Sequence, residues 1–257
     1  MRQGLKQEWV LFLLALQFMT RLPVPGDLPF DDDRLFKAAR YYPLVGLVVG
    51  GIGGLVLYLS ALVLPMSAAV ILSMTATVYV TGAFHEDGLA DTADGLGGGG
   101  TKERALEIMR DSRVGSYGAV SLVLALGLKA ALLSGVTPGF AVLLLLSGHA
   151  VSRFSAVQVM ATTEYARVEG AKFAAPSISR ETYRIALLQS AGVLFVLGIG
   201  WGWLLALTGA LAVAAVTVFM RARLKARLGG YTGDTMGAVQ QVSELAFYAG
   251  VLAVATG

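Results

Sequence analysis

Long apolar runs separated by short connections dominate this chain. After Tyr42, the stretches 43–64, 67–84, 117–136, 139–160, 186–200, 203–220 and 239–256 carry almost no charge. Crossing the hydrocarbon layer takes roughly 20 apolar helical residues, so these seven runs predict transmembrane helices. The run 186–200 is the shortest, and the boundaries around Trp201 and Trp203 are soft. A shorter run from Trp9 to Met19 leads into TRLPVP and an acidic stretch, not into a small-residue cleavage site. It predicts an interfacial or re-entrant helix and no cleaved signal peptide. The expected fold class is therefore all-α: a polytopic membrane helical bundle of about seven transmembrane helices plus that N-terminal helix, in one domain spanning 1–257.

The polar positions fall between these runs on one side only. The N-terminal segment 1–42 carries six basic residues, and the loops 85–114, 161–185 and 221–238 carry four each, which is eighteen of the twenty Lys and Arg. The connections LPMS, VTPG and GWGW carry none. Lys and Arg accumulate in cytoplasmic loops, so the N-terminus and the three long loops are expected in the cytoplasm and the C-terminus outside. Only 14% of residues are charged and 56% are hydrophobic, against about 25% charged in soluble proteins, which excludes the soluble class. Cysteine is absent, which excludes thiolate catalysis and cysteine-ligated metals. Gly46, Gly50 and Gly54 form a small-xxx-small stripe that lets helices approach closely.

The strongest chemical signal is TGAFHEDGLADTADGLGGGG, 81–100. Asp87, Asp91 and Asp94 are spaced i, i+4 and i+7, so at about 100° per residue they share roughly 60° of arc. Three carboxylates crowded at the end of an apolar helix repel one another, and a hard divalent cation relieves that repulsion. Magnesium suits this set and serves phosphoryl transfer. Glu86 falls about 100° off that face and His85 nearly opposite; His85 is a candidate base or substrate-orienting group. A solvated acidic boundary is the simpler alternative, but it predicts scattered charges instead of one aspartate face.

Gly97–Gly100 ends this helix, and Thr101 is placed to cap TKERALEIMRDSR. That segment offers Lys102, Arg104, Arg110 and Arg113, with Asp111 between the last two. Arginine supplies paired donors for phosphate oxygens. Membrane anchoring explains Lys102 and Arg104 at least as well, whereas the mixed charge of MRDSR points to function. A second polar segment, GGYTGDTMGAVQQVSEL (229–245), combines glycines with Thr232 and Thr235, a set able to hold an anion, and Asp234 continues its polar character. Gln240, Gln241, Ser243 and Glu244 carry polarity on into a span, where it is costly and usually functional. His149 and Arg153 lie one turn apart and can face a substrate cavity; Lys129, deeper in its span, receives no assignment beyond snorkelling or pairing with an acidic neighbour.

FMTRLPVP (18–25), YYPLVGL (41–47), HEDGLADTADG (85–95), EIMRDSRVGSYG (107–118) and GGYTGDTMGAVQQVSEL (229–245) occur in the order of the cobalamin synthase family, the adenosylcobinamide-GDP ribazoletransferases, and the chain resembles that family over nearly its full length. Glu86 departs from the family pattern, where an apolar residue is expected. The resemblance implies the final assembly step of cobalamin biosynthesis. Adenosylcobinamide-GDP is joined to alpha-ribazole or alpha-ribazole 5'-phosphate, GMP is released, and Mg2+ is required. For this chain, Asp87, Asp91 and Asp94 are expected as metal ligands and Asp111 as a further ligand or a base activating the ribazole hydroxyl. Arg110 and Arg113 would hold the GDP phosphates, with Lys102, Arg153, Thr232, Asp234 and Gln241 as further substrate-binding residues. Expected partners are these small molecules, membrane lipid, a second copy of the chain or other cobalamin-assembly enzymes, and no nucleic acid. Asp91, Asp94 and Gly95 also resemble part of the CDP-alcohol phosphotransferase signature, but Gly115 stands where that signature needs a further aspartate. A cation transporter is disfavoured by an acidic cluster at the rim and by the lack of a visible internal repeat.

Overall fold

A computed structural model describes residues 2–166 and 178–255. The part of the 161–185 loop at 167–177 lies outside the described residues. The described chain forms eleven α-helices and a short 3-10 turn, Ala39–Tyr41. In order they are α1 (Arg2–Met19), α2 (Asp32–Ala38), α3 (Tyr42–Ala61), α4 (Met66–Thr81), α5 (Phe84–Gly98), α6 (Lys102–Ile108), α7 (Ser116–Ser134), α8 (Pro138–Thr162), α9 (Arg180–Trp201), α10 (Trp203–Leu228) and α11 (Gly233–Ala255). Six are long and apolar enough to cross a membrane: α3 together with the turn and α2 before it, and α7 to α11. The seventh apolar segment is α4, and the chain bends by 88° between α4 and α5.

Left-handed backbone at Gly82 (φ 67°) and Ala83 (φ 60°) makes that bend. Ala83 is the one non-glycine residue with positive φ among those described, a conformation that costs an L-residue roughly 1–2 kcal/mol. The Arg21 side chain packs so closely over Gly82 that a Cβ there would collide with its guanidinium, and the Arg21 amide donates to the Val80 carbonyl at 2.7 Å. The turn sets α5, which carries Glu86, Asp87, Asp91 and Asp94, nearly at right angles to α4.

The core is built around α8. Of its apolar window 78% is buried, against 17% to 22% for α7, α9 and α10, whose Val123, Leu124, Leu188, Val196, Leu211 and Phe219 remain exposed as an outward apolar band. The glycine stripe of α3 explains how α8 becomes central. A Cβ on Gly46 would overlap the His149 carbonyl oxygen, and one on Gly50 would come within 2.6 Å of the Leu145 carbonyl oxygen, so both helices approach backbone to backbone. Helix α1 packs Leu11, Leu14, Ala15 and Met19 against Tyr42, Val45 and Val49, and it is not among the helices apolar enough to span.

Three boundaries differ from expectation. The basic run RARLKARL continues α10 as helix to Leu228, so the 221–238 loop shrinks to a link around 229–232. Helix α11 starts at Gly233, six residues before the apolar run, because its polar face is buried in protein. Helix α9 extends back to Arg180, capped by the Ser179 hydroxyl accepting the Thr182 amide at 3.1 Å.

Replacing Gly46 by alanine is expected to lower stability by about 1–3 kcal/mol, the usual cost of overpacking. Reversible unfolding in mixed detergent micelles measures this. An unchanged midpoint would contradict the α3–α8 contact.

Candidate active site

Helix α5 crosses α11 at two glycines. A Cβ on Gly88 would stand 2.5 Å from the Asp234 carbonyl oxygen and 3.1 Å from the Gly237 Cα, and one on Gly237 would stand 3.0 Å from the His85 carbonyl oxygen. The approach brings Asp234 into the field of the α5 aspartates. The Asp91 carboxyl is pushed up to about 6, first by burial and then by the negative charges of Asp87, Asp234 and Asp94. The cluster thus draws on two helices, and Asp234, read from the sequence as a substrate-binding residue, stands with Asp87 and Asp91.

Asp94 is held differently. It is buried, its Oδ2 accepts the Gly115 amide at 2.7 Å and its Oδ1 accepts the Gly118 amide at 2.9 Å. It therefore caps the start of α7 from a neighbouring helix, satisfying amides that a helix N-terminus leaves open. The carboxylate fills the space over both glycines, where any Cβ would collide with it. Among the described residues no three carboxylate or imidazole groups are gathered as a ready metal cage. The donor set still fits magnesium chemically: hard oxygens with uncompensated charge at Asp87, Asp91 and Asp234, the type of partial shell that water and phosphate oxygens complete.

Toward the C-terminal end of α5 lies a cleft of about 610 Å³ lined by Asp94, Arg104, Asp111, Arg113, Gly115 and Tyr117. Thr101 caps α6 as its residue type predicts, its hydroxyl accepting the Arg104 amide at 3.3 Å. Arg104 pairs with Glu107 at 2.7 Å. Arg113 grips Asp111 through Nε at 2.9 Å and Nη2 at 2.5 Å, and these hydrogen bonds pull the Asp111 carboxyl down to about 2. So paired, Asp111 is a weak proton acceptor. Arg110 is exposed, and Lys102 reaches toward Gly229. Arg227 of α10, which sequence reading passed over, donates to the carbonyl of Gly99 at 2.7 Å and of Leu96 at 3.3 Å, closing the glycine-rich end of α5.

The remaining predicted residues line or support the inner end of the site. Thr232 and Thr235 cap each other: the Thr235 hydroxyl accepts the Thr232 amide at 2.8 Å and the Thr232 hydroxyl accepts the Thr235 amide at 3.3 Å. This start of α11 therefore uses internally the groups that an anion would need. Gln241 donates to Glu86 Oε1 at 3.1 Å, joining α11 to α5. His85 and Arg153 meet in an apolar cavity that also reaches Gln240 and Gly237.

Behind that cavity lies a buried polar network for which the sequence offers only isolated hints. Glu244 accepts from Lys129 Nζ at 2.5 Å, Tyr248 Oη at 2.8 Å and Gln240 Nε2 at 2.6 Å, and lies 3.3 Å from His149 Nδ1. Arg153 Nη1 donates to the His149 carbonyl at 3.0 Å and stands 3.1 Å from His149 Nδ1. Gln240 also donates to Ser152 at 2.9 Å. Lys129, left unassigned from sequence, is thus the partner of Glu244. The signal available in sequence was that both charges fall within spans.

Fold and site together define a polytopic membrane protein with a two-helix carboxylate cluster and an arginine-lined cleft at the end that carries its polar segments. A profile of the family described as Cobalamin-5-phosphate synthase matches residues 11–252, and the chain belongs to that family. It is 46% identical to the adenosylcobinamide-GDP ribazoletransferase of Shewanella amazonensis, covering 95% of each chain. It is 48% identical to the enzyme of the same name from Leptothrix cholodnii, covering 97% of each. No solved structure matches.

Two outcomes are expected. In metal-free protein, carbon NMR of labelled aspartate should show Asp91 titrating near 6. A carboxyl pKa raised on folding means stability falls as pH rises from the ordinary value toward 6, and Asp87→Asn should move the midpoint down. A midpoint at the ordinary value would contradict the crowding. Lys129→Met alone should lose about 3–5 kcal/mol, the cost of leaving a buried charge unpaired, and Lys129→Met with Glu244→Gln should regain much of it. Additive losses in detergent unfolding would contradict the pairing.

Proposed function

We propose that the protein carries out the final assembly step of cobalamin biosynthesis, joining adenosylcobinamide-GDP to alpha-ribazole or its 5'-phosphate with release of GMP, at the cytoplasmic side of the bacterial inner membrane. Membership of the family and the names of relatives at 46% and 48% identity support the reaction. The observation that carries the site is the position of α5, which turns Asp87 and Asp91 toward Asp234 of α11 and Asp94 toward the cleft holding Arg104 and Arg113.

The acceptor hydroxyl forms a bond to the cobinamide-side phosphorus of the diphosphate. The bond from that phosphorus to the bridging oxygen breaks, and GMP leaves with the electron pair. Arg113 and Arg104 provide donors for the diphosphate oxygens, where charge builds up. Magnesium, when bound, supplies charge neutralisation at those oxygens, and Asp87, Asp91 and Asp234 are the residues that would hold it. Asp111, held near 2 by Arg113, is suited to orient that arginine, not to take the hydroxyl's proton. His85, buried with an unpartnered Nε2, is better placed as the acceptor of that proton.

Purified protein in lipid nanodiscs should release GMP from adenosylcobinamide-GDP only with ribazole and magnesium present. Asp87→Asn and Asp91→Asn should each slow it by about 100-fold or more, the scale seen when charge stabilisation is removed. Release without acceptor, or undiminished release in both variants, would overturn the proposal.

A further inference from the structure

Besides the arginine cleft, the protein holds another cavity, of about 490 Å³, between α1, α2, α3, α5, α8 and α11. Its walls are aromatic and apolar. Phe18 meets Phe84 edge to face at 5.3 Å and lies parallel to Tyr42 at 6.2 Å, and Met160 closes another side. Asp32, His85, Arg153 and Gln240 interrupt this lining, and the last three are incompletely hydrogen-bonded. His85 is 3% exposed and Arg153 is 1% exposed, yet His85 Nε2 and Arg153 Nε have no hydrogen-bond partner. An unpaired buried donor costs about 1–3 kcal/mol, and Arg153 is held there by its bonds to His149, so the arrangement has a reason other than packing.

An aromatic wall beside unfilled hydrogen-bonding groups is complementary to a planar heteroaromatic base carrying a sugar. The volume falls in the range of pockets that enclose drug-sized ligands, about 300–1,000 Å³. A corrin macrocycle with its amide side chains and a guanosine diphosphate is several times too large. We propose that this cavity seats the acceptor substrate: the base of ribazole lies against Phe18, Tyr42 and Phe84, and its polar edge and a ribosyl hydroxyl take Arg153 Nε and His85 Nε2. The proposal rests on the ribazole-transfer reading. It divides the work of the site, the donor's diphosphate at the arginine cleft and the acceptor in the aromatic cavity. His85 belongs to α5 and so links this cavity to the carboxylate cluster, and Gly237, which lines the cavity, is the α11 glycine over which α5 crosses.

The test uses full-length protein in nanodiscs with two wall substitutions that spare the buried ion network, Met160→Trp to fill the cavity and Phe84→Ala to strip its aromatic face. Equilibrium binding of alpha-ribazole without donor is read from its ultraviolet fluorescence, and initial rates give separate KM values for ribazole and adenosylcobinamide-GDP. Each variant should weaken ribazole binding and raise its KM at least tenfold, with the donor KM within twofold of wild type. Unaltered ribazole binding, as for a cavity filled by a lipid chain, would overturn the proposal. So would a rise confined to the donor KM. Absence of GMP release from wild type would instead defeat the transfer reading, and ribazole binding lost in the variants would still support the cavity.

Discussion

Backbone contact at Gly88 and Gly237 is the constraint on which the site depends. Side chains at a crossing normally hold helices apart, and these two meet backbone to backbone because neither presents a Cβ there. The approach places Asp234 beside the α5 aspartates and lets Gln241 reach Glu86. It also turns His85 inward toward Arg153 in the aromatic cavity. The left-handed pair Gly82 and Ala83 aims α5 at this crossing, and Asp94 ties its far end to α7 through two amides. Acidic chemistry, cleft and cavity are thus three consequences of how one short polar helix is laid across the end of the bundle.

The buried network beneath α5 makes that placement durable. Removing ions from water is costly, and charges in spans are tolerated when each finds a partner. Glu244 satisfies this by taking Lys129, Tyr248 and Gln240 together, so α7 and α11 meet on its carboxylate while Gln240 bridges on to Ser152 of α8. The cavity stands on this scaffold, and the partial pairing of Arg153 leaves its Nε without a hydrogen-bond partner.

Much of the architecture was legible in sequence because lipid imposes a coarse rule: the apolar runs had to be helices, and the glycine stripe of α3 had to face a neighbour. The aspartate spacing was legible for the same geometric reason. What periodicity could not supply was which helix faces which. Asp94 reads as the third member of one helical face, yet twenty-one residues later the chain returns with two amides that claim it. Asp234 sits far away in sequence and reads as part of an anion loop, while the glycine crossing makes it a neighbour of Asp91. Lys129 and Glu244 each show in sequence as a misplaced charge, and only packing reveals them as a pair. The basic run RARLKARL reads as a loop by charge, but Arg227 is needed on the helix to close the end of α5.

Binding of Mn2+ followed by electron paramagnetic resonance would show whether α5 and α11 jointly hold one divalent cation. Wild-type protein should retain one Mn2+ that magnesium competes away. Asp234→Asn on α11 should weaken it by a factor comparable to Asp91→Asn on α5. Equal Mn2+ binding by wild type and Asp234→Asn, with loss only in the α5 variant, would contradict a site shared across the crossing.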